Sequence, residues 1–150
     1  MDSVASILAQ SFDVSAVTPV MSLRGGSALD DYEIPPPFDP IVDEVTPAYL
    51  EAQYWGIHHL DSQSWLFYLP HLLAHALRNR SNSASGATGT FLFSLRPPDR
   101  EPPRFGSLSD AQAKAVVAVL DTLAFADESA WRDEAIVALE EYWAPGARHR

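Results

Sequence analysis

Two histidines, His71 and His75, stand four residues apart, a spacing that puts both rings on one face of a helix, as zinc ligands often require. His58, His59 and Asp61 lie just upstream and could complete a ligand set. The metalloprotease form of this spacing needs Glu directly after the first histidine, where Leu72 stands. The pair sits among Trp65, Leu66, Phe67, Leu69 and Leu73, a setting in which histidines are more often hydrogen-bonded core residues. A metal-binding protein or hydrolase using His71 and His75 with His58 or His59 is therefore the alternative reading, and no metal or cofactor is expected.

Other catalytic arrangements are weaker. Ser62 or Ser64, one of His58, His59 and His71, and Asp61 make a Ser-His-Asp set on paper, but no Gly-x-Ser-x-Gly elbow is present. Adjacent carboxylates such as Asp30-Asp31, Asp133-Glu134 and Glu140-Glu141 are common in an acidic chain, and neighbours on a helix point in different directions. Gly86-Ala87-Thr88-Gly89 lacks the lysine of a phosphate-binding loop. Arg96, Arg100 and Arg104 fall in a proline-broken segment, as a small anion-facing patch or as balance for acids of the N-terminal half. The expectation is a non-enzyme.

Charge carries more information. The net charge is −10, and residues 1–64 hold ten acids against Arg24 alone, while residues 65–150 are nearly balanced. Phosphate contacts need Lys and Arg, so nucleic-acid and anionic-membrane partners are disfavoured. A basic protein partner, approached by electrostatic steering, is favoured. The candidate partner-binding residues are Asp30, Asp31, Tyr32, Glu33, Phe38, Asp39, Asp43 and Glu44, with Tyr32 and Phe38 as aromatic anchors among the acids. There is no cysteine, hence no disulfide framework or thiolate site. No run approaches the ~18 apolar residues of a membrane span, and Asp2 replaces the basic start of a signal peptide. A cytoplasmic protein is expected.

These residues need a scaffold, and 150 residues suit a single domain, 1–150. The fold class expected is mainly α, with five or six short helices around a Pro-kinked central helix and one small β element. The first helix runs from about Ser3 to Phe12, followed by an extended piece at Val17–Leu23 and a turn at Gly25-Gly26, with Arg24 pairing Asp30 or Asp31. Residues 27–45 hold four prolines and read as an acidic loop, lying down on Ile34, Phe38, Ile41 and Val42 with its acids outward. Thr46-Pro47 opens a helix to about Trp55. From a cap at Ser62 to Arg78 the chain is apolar nearly all round, as befits a core helix, with Pro70 kinking or splitting it. Residues 79–90 read as a flexible Ser/Gly/Asn loop, and Phe91–Leu95 as the strand. The spacing Ser109-x-x-Gln112 is a capping box for a helix to about Ala124, and a last helix, capped by Asp127 or Ser129, carries Trp131, Ala135, Ala138, Leu139, Tyr142 and Trp143 on one face.

The run Tyr68-Leu69-Pro70-x-Leu72-Leu73-x-x-Ala76-Leu77 and the late Leu108-Ser109-x-x-Gln112 helix resemble a family of small bacterial proteins of unknown function. Trp55 after the Pro-led helix and Tyr142-Trp143 in the closing helix are similar to that family's usual form, so the resemblance spans residues 46–143. It implies a fold and no catalytic residues. A small, acidic, cysteine-free chain without a catalytic motif suits a bacterial immunity protein that covers a co-encoded basic toxin, such as a nuclease, and that is the function expected.

Overall fold

The computed structural model describes residues 3–13 and 18–149. Among these residues seven α-helices follow in order: α1 Val4–Ser11, α2 Leu23–Asp30, α3 Pro47–Gln53, α4 Ser62–Arg78, α5 Gly86–Ser94, α6 Asp110–Phe125 and α7 Arg132–Ala138. Short 3-10 segments at Tyr54–His59 and Phe105–Ser107 and a π-helical segment at Leu139–Trp143 complete the regular structure. No strand occurs among the described residues.

The centre is α4. Trp65, Tyr68, Leu69, Leu72, Leu73 and Ala76 are buried, and one continuous helix passes through Pro70 instead of dividing there. The missing amide of Pro70 costs a single backbone bond, while apolar burial on nearly every face holds the turns on either side in place. The cap is Asp61, which accepts from the Gln63 and Ser64 amides, and not Ser62. Residues 18–24 are laid along this helix: the Met21 amide donates to Ser64 Oγ at 2.9 Å and the Leu23 amide to the Tyr68 hydroxyl at 3.2 Å. Val17, the start of the expected extended piece, lies outside the described residues.

Gly25 and Gly26, expected as a turn, are inside α2. The reason is a close helix crossing. A Cβ on Gly26 would lie 2.5 Å from the Gly56 carbonyl oxygen, and one on Gly56 would lie 2.2 Å from the Leu23 carbonyl oxygen. Glycine on both sides lets the backbones of α2 and the Tyr54–His59 segment touch, which outweighs the propensity loss of glycine in a helix.

The expected strand at Phe91–Leu95 is overturned, because residues 86–94 form α5; this helix also takes the end of the expected 79–90 loop, of which residues 79–85 remain turns. A strand would place residues 91, 93 and 95 on one face. Instead Ala87, Thr88, Phe91, Leu92 and Leu95 are buried and Phe93 is 62% exposed, which is helical periodicity. Ser85 starts the helix, its Oγ accepting from the Thr88 amide at 3.2 Å. The capping box at Ser109 and Gln112 forms as expected. Leu139–Trp143 widens into a π turn that buries Trp143 and lets its indole Nε1 donate to the Leu95 carbonyl at 2.8 Å. One hydrophobic core draws on residues from Leu8 to Trp143.

Candidate partner-binding surface

The acidic segment is held at its base by a buried polar knot. Arg24 extends from α2 and donates to Asp43 through Nε at 3.0 Å and through an amino group at 3.2 Å. The expected partners, Asp30 and Asp31, do not take this role. The Tyr49 hydroxyl donates to the same carboxylate at 2.8 Å and accepts from the Arg24 amide at 3.1 Å; the Asp39 amide donates to Asp43 Oδ2 at 2.9 Å. Burial pushes the Asp43 carboxyl up, but the Arg24 guanidinium, the Asp39 amide and the Tyr49 hydroxyl outweigh it and hold Asp43 below the usual carboxylate range. Its side chain is fully enclosed. Asp43 thus builds the surface and is not available to a partner, which corrects its place among the candidate contact residues.

With the base pinned inward, the apolar side chains of the segment point outward. Tyr32 is 99% exposed, Ile34 92% and Ile41 86%, and Val42 is more than half exposed. This reverses the expectation that Ile34, Ile41 and Val42 lie on the core with every acid facing water. Proline restricts the chain to extended paths, and the amide-to-Asp43 and amide-to-Asp39 bonds turn residues 39–43 so that the carboxylates serve the backbone. Phe38 is half-buried, its ring edge-on to Phe67 at 6.2 Å, so it props the segment more than it anchors a partner.

Tyr32 adopts a left-handed backbone, φ 60°. It terminates α2: the Tyr32 amide donates to the Leu29 carbonyl at 3.0 Å and the Glu33 amide to the Ala28 carbonyl at 2.7 Å. This two-bond helix stop normally carries glycine at the left-handed position. Here it presents an exposed aromatic ring instead. Asp31, Glu33 and Glu44 of the same segment are exposed and make no ion pair among the described residues, while Asp30 meets His59 at 3.1 Å.

The histidines do not converge. His75 is buried and its Nε2 lies 2.6 Å from Glu51, which also receives the Ser85 hydroxyl and the Ala87 amide. That cluster ties α3, α4 and the start of α5 together. Burial pushes the Glu51 carboxyl up, but Ser85, His75 and the Ala87 amide together hold it below the usual range. His71 stacks near Phe67 and faces an apolar groove of about 450 Å³ lined by Leu8, Phe12, Leu50 and Leu77. Burial, aided by the Arg78 charge, pushes its imidazole pKa down. His58 packs edge-on to Phe93. No group of three or more potential metal ligands exists among the described residues, and no described helix is long and apolar enough to cross a membrane.

Ile34, Ile41 and Val42 were missed as surface residues because their hydrophobicity signals burial. The available cue was the run of prolines around them, which denies the chain any regular element with which to bury a face. Trp55 is also exposed and rests on Tyr54 at 4.7 Å.

Against known proteins, the chain matches the family of unknown function DUF6714 over residues 1–147. The acidic Pro-rich segment lies inside that length. No curated protein and no solved structure matches the chain.

Proposed function

The chain belongs to this family of unknown function, and for it we propose a non-enzymatic role as a bacterial immunity protein. It neutralises a co-encoded toxin by covering it with the segment around residues 30–44. The observation that carries the reading is the display of Tyr32, Ile34 and Ile41 nearly free in water while Arg24, Asp43 and Tyr49 fix the segment beneath them. Exposed apolar side chains on a pinned scaffold, in a segment that also carries exposed Asp31, Glu33 and Glu44, combine an apolar anchor with charge at an interface. These acids select a basic partner and raise its association rate, and a nuclease whose site binds phosphate has that charge. A cytoplasmic location accords with protecting the producing cell.

The test is growth rescue. Cells producing the toxin domain encoded beside this gene are expected to survive when the chain is co-produced, and to lose protection when Tyr32 and Ile34 are both changed to Ala. A neighbourhood without a toxin gene, or survival unaffected by the chain, would overturn the reading.

A further inference from the structure

A second feature runs against the acidity of the chain. His58, Arg96, Arg100 and Arg104 line one pocket of about 320 Å³, walled by Phe93 and containing a single acid, Asp99. The end of the Tyr54–His59 segment, the end of α5 and the Pro-rich stretch 96–106 build it.

Arg104 is buried, and among the described residues no carboxylate pairs with its guanidinium, although the charges of Asp99 and Asp61 act on it from farther away. An amino group donates to the carbonyls of Ile57, at 3.1 Å, and Leu60, and the cation lies 5.9 Å from the Trp65 ring. The Nε–H has no acceptor among the described residues. Carbonyls and a ring satisfy donors without cancelling the charge. Asp99 is committed elsewhere: Oδ1 accepts the amides of Arg100 and Arg104 at 2.8 Å and of Phe105 at 3.0 Å, and Oδ2 accepts that of Gly106 at 2.9 Å. The Arg100 guanidinium makes no ion pair among the described residues. Arg96 is the exception, paired with Glu141 at 2.7 Å while resting over the Phe93 ring at 5.7 Å. His58 completes the wall, 6.1 Å from Phe93.

We propose that this pocket binds a phosphate monoester, with Arg100 and His58 meeting the phosphate, Arg104 supplying charge from behind, and a flat organic group lying on Phe93. A monoester dianion matches two guanidinium groups, Arg100 and Arg104, that have no paired carboxylate among the described residues, whereas a carboxylate would need only one. Exposed Phe93 offers a ring face to a planar group. His58 reports on occupancy. Burial, with the charges of Arg100, Arg104 and His59, pushes its imidazole pKa down against the opposing pull of Asp30, so a bound dianion is expected to raise it.

The full chain is titrated with inorganic phosphate, phenyl phosphate and benzoate while the His58 ring proton is followed by NMR across pH. Phenyl phosphate is expected to bind most tightly and to move the His58 midpoint upward. Arg100→Ala is expected to weaken it about tenfold; that side chain is exposed, so the fold is retained. Phe93→Ala is expected to remove the advantage of phenyl phosphate over phosphate. No His58 response to either phosphate, an unchanged response in Arg100→Ala, or benzoate binding as tightly as phenyl phosphate would overturn the assignment.

Discussion

Asp43 is the side chain on which the outward display of the acidic segment depends. Its carboxylate accepts two hydrogen bonds from Arg24 and one each from Tyr49 and the Asp39 amide inside the protein, so Asp43→Ala removes the acceptor for four hydrogen bonds at once. Unfolding by urea should show a loss of about 3 kcal/mol, the low end of the range for breaking a buried pair, because Arg24 keeps partial access to water. Its folded pKa lies below its unfolded value. The Asp43 contribution is therefore complete above about pH 4 and is lost as pH falls through the folded value; Glu51, shifted the same way, behaves alike. Acid unfolding of Asp43→Asn should lack part of that decline. Tyr32 makes the opposite trade. A tyrosine in the left-handed region is strained relative to glycine, so Tyr32→Gly is expected to stabilise the fold by about 1 kcal/mol while weakening partner binding. A thermal melt and a binding isotherm on the same variant check both halves.

The crossing of α2 with the Tyr54–His59 segment sets where the acidic segment leaves the core. Gly56→Ala would drive a methyl against the backbone of Leu23 and Ser27, so one of the two segments must shift, and a loss of about 3 kcal/mol is expected in chemical denaturation. The elements differ in how far residue order revealed them. Thr46-Pro47 and Ser109-x-x-Gln112 are local signals whose hydrogen bonds close within one turn, and both helices start where the pattern places them. Phe91–Leu95 misled because five residues cannot distinguish period two from period 3.6; the burial of Ala87 and Thr88 extends the pattern enough to decide. Gly25-Gly26 misled for a different reason. Their role is contact with Gly56, which is distant in the chain, and a local reading assigns paired glycines to a turn. The choice of Asp43 over Asp30 or Asp31 as the partner of Arg24 is likewise a tertiary fact. Of the candidate site, the acidic character and Tyr32 were legible; the exposure of Ile34 and Ile41 was not, because it follows from which acid turns inward.

Across the whole molecule, negative charge and exposed apolar side chains coincide in the segment around residues 30–44, while the basic side chains beside Phe93 gather at a separate pocket. The first suits a basic protein partner and the second a small anion. Long-range attraction between the acidic segment and such a partner falls with ionic strength, since the Debye length shrinks to about 8 Å at physiological salt. Apolar anchors are insensitive to salt and set the dissociation rate. The most direct measurement is the affinity of the chain, and of a variant with Asp31, Glu33 and Glu44 all changed to Lys, for the toxin domain that the proposed function calls for, at low and high salt. The unaltered chain should bind tightly and lose affinity as salt rises. The variant should bind at least about tenfold more weakly at low salt, with most of the salt dependence gone. Equal affinity and an equal salt response in both proteins would contradict the account.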